Sequence, residues 1–177
     1  MERLNFVIPE CYVDTNLINV LTGKFCNHQK GCPNVCKTLK DKFKEEFAIG
    51  IIDKDKRIPT EALNNYCEIA KSEYLILLKH KCLCHYIIQI KPAVEIFILE
   101  AAKNLNINLD EFGLSSGLSQ LKKFTKSSDA KDNKLFSDLF KSLAQASNMQ
   151  QLKAVLDYLL KNKYKVESSE LEKLILN

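Results

Sequence analysis

Four carboxylates in the first third of the chain have the types and spacing of a metal site. Glu10 and Asp14 follow one short apolar run, and Asp53 and Asp55 follow another. The carboxyl ends of parallel strands meet at one edge of a sheet, where ligands bind. An Asp-x-Asp there offers both carboxylates to one side, as Mg²⁺ requires of oxygen ligands. The sequence predicts a Mg²⁺ or Mn²⁺ site, although Asp-x-Asp also occurs in solvated turns and Asp14 also suits a helix cap.

The elements that must position these carboxylates form an α/β pattern. Strands are predicted at residues 4–8, 47–52, 74–78 and 86–90, with a short one at 24–26. Helices are predicted from Asp14 or Thr15 to Leu21, from Pro33 through Phe43, from Pro59 through Ile69, and from Ala93 to about Asn106. Near-continuous apolar strands that alternate with helices indicate a small, largely parallel sheet flanked by helices.

From Leu114 onward, apolar residues recur at helical spacing to the end of the chain. This pattern predicts a C-terminal helical cap. We therefore expect an α/β domain over residues 1–112 and a helical subdomain over 113–177 that packs on it.

The order strand-Glu, helix, strand, helix, strand-Asp-x-Asp resembles the Toprim domain of topoisomerases, primases and OLD-type nucleases, over roughly residues 3–95. Glu10 matches the first-strand glutamate of that family, and Asp53 and Asp55 match its Asp-x-Asp. The resemblance implies that the aspartates hold Mg²⁺ and that Glu10 acts as an acid/base or a further ligand in phosphodiester chemistry. Cys11 stands where family members commonly carry glycine.

Further candidate residues lie beside these carboxylates. Glu95 is in the first turn of a predicted helix, where it either complements the helix dipole or adds a metal ligand; similar proline-glutamate helix starts occur in OLD-type proteins. His28 and Lys30 fall in the loop after the short strand, and Lys56 follows the Asp-x-Asp. These three are candidates to bind phosphate, or they are ordinary loop residues.

A second basic group flanks the last two predicted strands. Lys79, His80 and His85 would suit a polyanionic backbone, and a solvated hairpin is the alternative.

Cys26, His28, Cys32 and Cys36 invite a zinc interpretation, but their spacing differs from common zinc knuckles and buried cysteine is a routine core residue. We therefore expect a structural role and regard zinc as unlikely. The chain has seven cysteines, an odd number, and its opening residues show no apolar signal segment. Reduced thiols in a cytoplasmic protein are expected.

Composition limits the partners. The chain has 26 basic and 22 acidic residues, an excess that permits contact with nucleic acid without requiring it. Its strongly apolar runs are far shorter than the roughly 20 residues that span a bilayer, so no membrane partner is expected.

The leading hypothesis is a Mg²⁺-dependent phosphoryl-transfer protein, a small Toprim-type nuclease that acts on DNA or RNA. The alternative is a non-catalytic Toprim-like module that docks a protein or nucleic-acid partner, with the helical tail as the protein-binding part; Cys11 in place of glycine favours it. A zinc-stabilised interaction protein is a third hypothesis.

Overall fold

A computed structural model describes residues 3–54 and 60–176 and shows a mixed α/β chain. The strands are β1 (Arg3–Leu4), β2 (Val7–Pro9), β3 (Phe25–Cys26), β4 (Ala48–Asp53), β5 (Tyr66–Lys71), β6 (Leu75–His80) and β7 (His85–Ile90). The α-helices are α1 (Tyr12–Thr22), α2 (Cys32–Thr38), α3 (Thr60–Leu63), α4 (Val94–Asn104), α5 (Leu118–Thr125), α6 (Lys134–Leu143), α7 (Ser147–Asn162) and α8 (Ser168–Leu176). A π-helical turn, Leu39–Phe43, extends α2, and short 3₁₀ turns cover Leu109–Phe112, Ser128–Lys131 and Lys163–Lys165.

The main sheet has five strands in the order β2-β4-β7-β6-β5. Strands β2, β4 and β7 are parallel, whereas β6 runs in the opposite direction and pairs with both β7 and the edge strand β5. The mostly parallel sheet is thus confirmed. The strand predicted at residues 4–8 is divided: β2 joins this sheet, and β1 pairs with the expected short strand β3 in a separate two-stranded sheet.

The helix predicted from Pro59 through Ile69 is wrong over most of its length. Helix α3 ends at Leu63, and residues 66–71 form the edge strand β5. Asn64 and Asn65 follow the helix, and asparagine favours turns over helix interiors. The backbone of β6 offers an open edge, and pairing with it overrides the helical pattern.

Helices cover both faces of the sheet. On one face, α2 and the π-helical turn pack Val35 and Leu39 against β4 beside Gly50. On the other face lie α1 and α4, against which α6 and α7 pack, while α8 contacts β5. The C-terminal helices share one apolar core with the sheet. In the ranges 3–54 and 60–176, no helix combines the length and the apolar character needed to cross a membrane.

Candidate functional site

Glu10 and Asp53 lie side by side at the carboxyl ends of two adjacent parallel strands. Strand β2 ends just before Glu10, and β4 ends at Asp53. The Glu10 backbone N–H donates to the Ile51 carbonyl (2.9 Å), and the Asp53 N–H donates to Glu10 Oε2 (3.1 Å). The residues are only 2% and 3% exposed. The sheet therefore holds two carboxylates close together and away from bulk water.

The start of α4 adds a third carboxylate. The Val94 N–H, in the first turn of α4, donates to Asp53 Oδ1 (3.0 Å), which places this carboxylate at the positive end of the helix. The next residue, Glu95, is buried and accepts a hydrogen bond from the Thr125 hydroxyl (2.6 Å). The start of α4 therefore contacts Asp53 through its backbone and contacts α5 through the Glu95 side chain.

These carboxylates line a cavity of about 630 Å³, which we call the carboxylate cavity. Its lining comprises three carboxylates, three lysines, an imidazole and smaller groups: Glu10, Asp53, Glu95, Lys30, Lys122, Lys126, His28, Cys11, Tyr12, Gly31 and Thr125. Negative groups thus lie buried at the strand ends, while lysines of a loop and of α5 supply positive charge to the same cavity. The carboxylates offer oxygen atoms of the kind that Mg²⁺ takes as ligands, and the lysines can bind phosphate oxygens.

The His28 side chain lines this cavity and carries an unprotonated nitrogen. Its ring stacks on Tyr12, with centroids 4.3 Å apart, and its Nδ1 lies 3.0 Å from the Thr15 hydroxyl oxygen. That hydroxyl donates to the Cys11 carbonyl (2.8 Å), so it accepts from His28 and the imidazole proton sits on Nδ1. Nε2 is buried and has no hydrogen-bond partner in the described part of the chain. The ring therefore presents Nε2 as an acceptor.

Burial and nearby positive charge favour the neutral form of His28. Burial lowers the pKa of this imidazole, and the positive charges of Lys131 and Lys30 lower it further, against a hydrogen bond to the Cys11 carbonyl that raises it. At neutral pH the side chain is a base with a vacant nitrogen lone pair.

Asp14 serves as a helix cap. Its Oδ2 accepts from the Cys11 N–H (3.3 Å), while the Cys11 sulfur accepts from the Asp14 N–H (3.4 Å). This reciprocal capping box starts α1 earlier than the sequence predicted. Burial, and then the charge of Asp14, raise the pKa of the Cys11 thiol well above its usual value. The sequence allows two roles for Asp14, a helix cap and a metal ligand, and this hydrogen bonding is the capping role. Asp14 is not among the residues that line the carboxylate cavity.

The structure places Lys79, His80 and His85 at the opposite end of the sheet. His85 begins β7 and pairs with Ala48, the first residue of β4, whereas Glu10 and Asp53 lie at the far ends of their strands. Because β6 runs antiparallel to β7, its last residues, Lys79 and His80, lie at that same distant end. These three residues cannot share a phosphate with Glu10 and Asp53.

The three cysteines considered for zinc are divided between a strand and a helix, because Cys26 ends β3 and Cys32 and Cys36 lie in α2. Cys32 is buried in the apolar cluster with Val35 and Leu39, and a hydrogen bond from Cys32 lowers the pKa of the Cys36 thiol. Burial raises the pKa of Cys26 to about 12. Within residues 3–54 and 60–176, no three His, Cys, Asp or Glu side chains are grouped to hold a metal.

The structure therefore describes only some of the metal ligands that the resemblance implies. Asp55 and Lys56 lie outside the described residues. Glu10 and Asp53 fit Mg²⁺ by their chemistry, since each is a buried carboxylate.

Helix α5 and the residue that follows it contribute residues that sequence reasoning missed, namely Lys122 and Thr125 in the helix and Lys126 at its C-cap. Their only signal was two lysines at i,i+4 spacing, which is common on solvated helix faces. Only the packing of α5 near the start of α4 brings them to the carboxylates.

The chain matches no protein-family model, and comparisons with curated proteins and with solved structures return no significant similarity.

Proposed function

We propose that this chain is a Mg²⁺- or Mn²⁺-dependent phosphoryl-transfer protein, a small nuclease of Toprim type that hydrolyses DNA or RNA phosphodiesters. The observation that carries the proposal is the pair Glu10 and Asp53, buried and linked by a hydrogen bond, in a cavity that also holds lysines and a neutral imidazole. Asp53 would hold the metal together with Asp55, and Glu10 would complete coordination or move a proton. A bound divalent ion polarises a phosphate and lowers the pKa of a coordinated water.

Other side chains of the carboxylate cavity would bind the phosphate and accept the proton. Lys30, Lys122 and Lys126 supply the positive charge that binds the phosphate oxygens. His28 Nε2 accepts a hydrogen bond, and then a proton, from a water or hydroxyl group that attacks the phosphorus. Because the carboxylates are shielded from solvent, their interactions with these partners are stronger than they would be in bulk water.

The proposal is tested by incubating labelled single- and double-stranded DNA and RNA with the protein and Mg²⁺ or Mn²⁺. We expect cleavage that chelation abolishes and that Asp53→Asn reduces to background. Asp110→Asn is the matched control, because Asp110 is exposed and does not line the carboxylate cavity. Full activity in Asp53→Asn would overturn the assignment.

A second candidate is a non-catalytic module that docks a partner through its C-terminal helices. Phe124 on α5 and Leu135 on α6 favour it, because they expose 46% and 45% of their surfaces. For such a module we expect partner binding that Phe124→Ser weakens, with no metal-dependent cleavage of any substrate.

A further inference from the structure

A second cavity, of about 430 Å³, adjoins the carboxylate cavity at His28, a residue that lines both. We call it the flanking cavity. It is bounded by the small sheet of β1 and β3, by the loops that follow these two strands, and by the end of the 3₁₀ turn Ser128–Lys131. A chain-like ligand that occupies the carboxylate cavity can therefore continue past His28 into the flanking cavity.

The small sheet presents a cation and an aromatic ring to the flanking cavity. Arg3 and Phe25 are register partners in the parallel pair of β1 and β3, and register partners project from the same face of a sheet. The next residue, Leu4, is buried, whereas Arg3 is exposed and Phe25 keeps 43% of its surface exposed. The exposed face of this sheet thus offers a guanidinium group beside an open aromatic ring.

Positive charge continues from one cavity into the other. Arg3 and Lys131 line the flanking cavity, where Asp132 is the negative residue. The positive charge of Lys131 lowers the pKa of His28, which is consistent with a position near the junction of the two cavities. Arginine and lysine both bind phosphate oxygens. Asn5, which is exposed in the same lining, offers an amide donor and acceptor to the edge of a base.

This combination fits an unpaired strand of nucleic acid. Proteins hold single strands through positive groups along the backbone and through aromatic side chains on which bases stack. In a duplex the bases are stacked on one another, so no base face is open to Phe25. The carboxylates of Glu10 and Asp53 are buried, so a phosphate must enter the carboxylate cavity to reach them. An unpaired strand can be splayed out to do so.

We propose that the substrate is single-stranded nucleic acid, with the phosphate to be cleaved in the carboxylate cavity and an adjoining nucleotide in the flanking cavity. The base of that nucleotide stacks on Phe25, and its phosphate binds Arg3 and Lys131. This substrate class rests on the proposed nuclease function, since the flanking cavity would hold the strand that the carboxylate cavity cleaves.

The first test is fluorescence anisotropy with a labelled single strand of about 12 nucleotides, as DNA and as RNA, and with the matching duplexes. A chelator in the buffer prevents metal-dependent cleavage, so binding alone is measured. We expect the single strand to bind about tenfold or more tightly than the duplex, and Arg3→Ala/Lys131→Ala to weaken its binding by about tenfold.

The matched control for this double change is Lys161→Ala/Lys165→Ala, which removes the same charge from exposed positions outside the lining of both cavities. Its affinity for the single strand should equal that of the native chain. Duplex binding as tight as single-strand binding, or equal weakening in the two double variants, would overturn the proposal.

Two changes at Phe25 separate base stacking from folding. Leucine keeps an apolar side chain without the ring, and tyrosine keeps the ring. We expect Phe25→Leu to weaken single-strand binding about fivefold or more, and Phe25→Tyr to keep it within about twofold of the native value. Native affinity in Phe25→Leu, or equal losses in the two variants, would overturn base stacking on Phe25 and with it the proposal.

Cleavage assays with Mg²⁺ or Mn²⁺ distinguish this substrate class from the nuclease function itself. We expect faster cleavage of the single strand than of the duplex, and an increase in KM for the single strand in Phe25→Leu. Equal cleavage of both substrates, unaffected by Phe25→Leu, would overturn the substrate class and keep the nuclease function. Single-strand binding as described above, without cleavage of either substrate, would overturn the nuclease function and keep the flanking cavity as a binding site for single strands.

Discussion

At the scale of single residues, the hydroxyl of Thr15 decides what His28 can do. Because this hydroxyl donates to the Cys11 carbonyl, it accepts a hydrogen bond from His28 Nδ1–H, and Nε2 of this cavity-lining side chain is left unprotonated. We therefore expect His28→Gln to lower phosphodiester hydrolysis about 10²- to 10⁴-fold, the usual contribution of a positioned base. Steady-state rates of the purified variant measure the effect.

The control for His28→Gln is Gln29→Ala, which changes the next residue of the same loop. Its backbone N–H bonds the Pro9 carbonyl and is kept in the variant. Unchanged hydrolysis in His28→Gln, or an equal loss in Gln29→Ala, would show that His28 takes no part in the reaction.

The histidines also give folding a defined pH dependence. Burial is the main cause that lowers the pKa of His28, His80 and His85 below 6.5, and nearby positive charge adds to it. The unfolded chain therefore binds these protons at higher pH than the folded chain does. The free energy of unfolding should fall as the pH decreases from about 7.5 to about 5.5, above the range where carboxylates titrate. Urea unfolding monitored by circular dichroism tests this, and a constant or rising stability would contradict it.

The carboxylates of the carboxylate cavity could be predicted, because the sequence indicates where apolar strands end. Glu10, Asp53 and Glu95 each follow an apolar strand or begin the helix after one, and parallel strands bring such positions together. Lys122 and Lys126 could not be predicted, since their position depends on how α5 packs. Strand direction likewise decides the place of Lys79, His80 and His85, and an apolar run does not reveal its direction.

At the scale of elements, the segment around β5 shows that local sequence patterns do not predict every strand. The helix start at residues 60–63 was visible in the sequence. The strand that follows was not, because β5 is an edge strand with mostly exposed or half-buried residues and a register shift between Glu68 and Ala70. Its conformation is determined by pairing with β6, a tertiary contact.

Gly50 determines how closely α2 packs on the sheet. A methyl group at this position would lie 2.9 Å from Val35 Cγ1 and 3.1 Å from Leu39 Cδ1. We expect Gly50→Ala to lower the free energy of unfolding by about 1–3 kcal/mol, the usual effect of overpacking. Gly117→Ala is the control, because its methyl group would meet only the Ser115 hydroxyl at 3.4 Å. Equal stability of the two variants in urea would contradict this packing.

At the scale of the whole molecule, Asn16 joins the sheet-bound helix α1 to the C-terminal helices. Its side chain is buried, donates to the carbonyls of Ala130 and Asn133 (2.9 and 3.0 Å), and accepts from the Ser137 hydroxyl (3.0 Å). We expect Asn16→Leu to lower the free energy of unfolding by about 1–3 kcal/mol, because it removes three hydrogen bonds and leaves the carbonyl of the buried Ala130 without this partner. Thermal or urea unfolding measures the loss.

The control for Asn16→Leu is Asn34→Ala, which removes one exposed bond to the Lys30 carbonyl. If Asn16→Leu were as stable as the native chain, this junction would not hold the helices to the sheet. The C-terminal helical pattern itself was evident from the spacing of its apolar residues, but the contacts of Asn16 depend on tertiary packing.

The most direct test of the proposed metal site is calorimetric titration of Mn²⁺ into the native chain and into Asp53→Asn and Glu10→Gln. These changes preserve side-chain shape and remove charge at the carboxyl ends of β4 and β2. Asp110→Asn and Glu172→Gln are the matched controls at exposed positions. We expect saturable heat in the native chain and both controls, and at least tenfold weaker binding in Asp53→Asn and Glu10→Gln. No saturable heat in the native chain, or the same affinity in Asp53→Asn, would contradict a metal site at these strand ends.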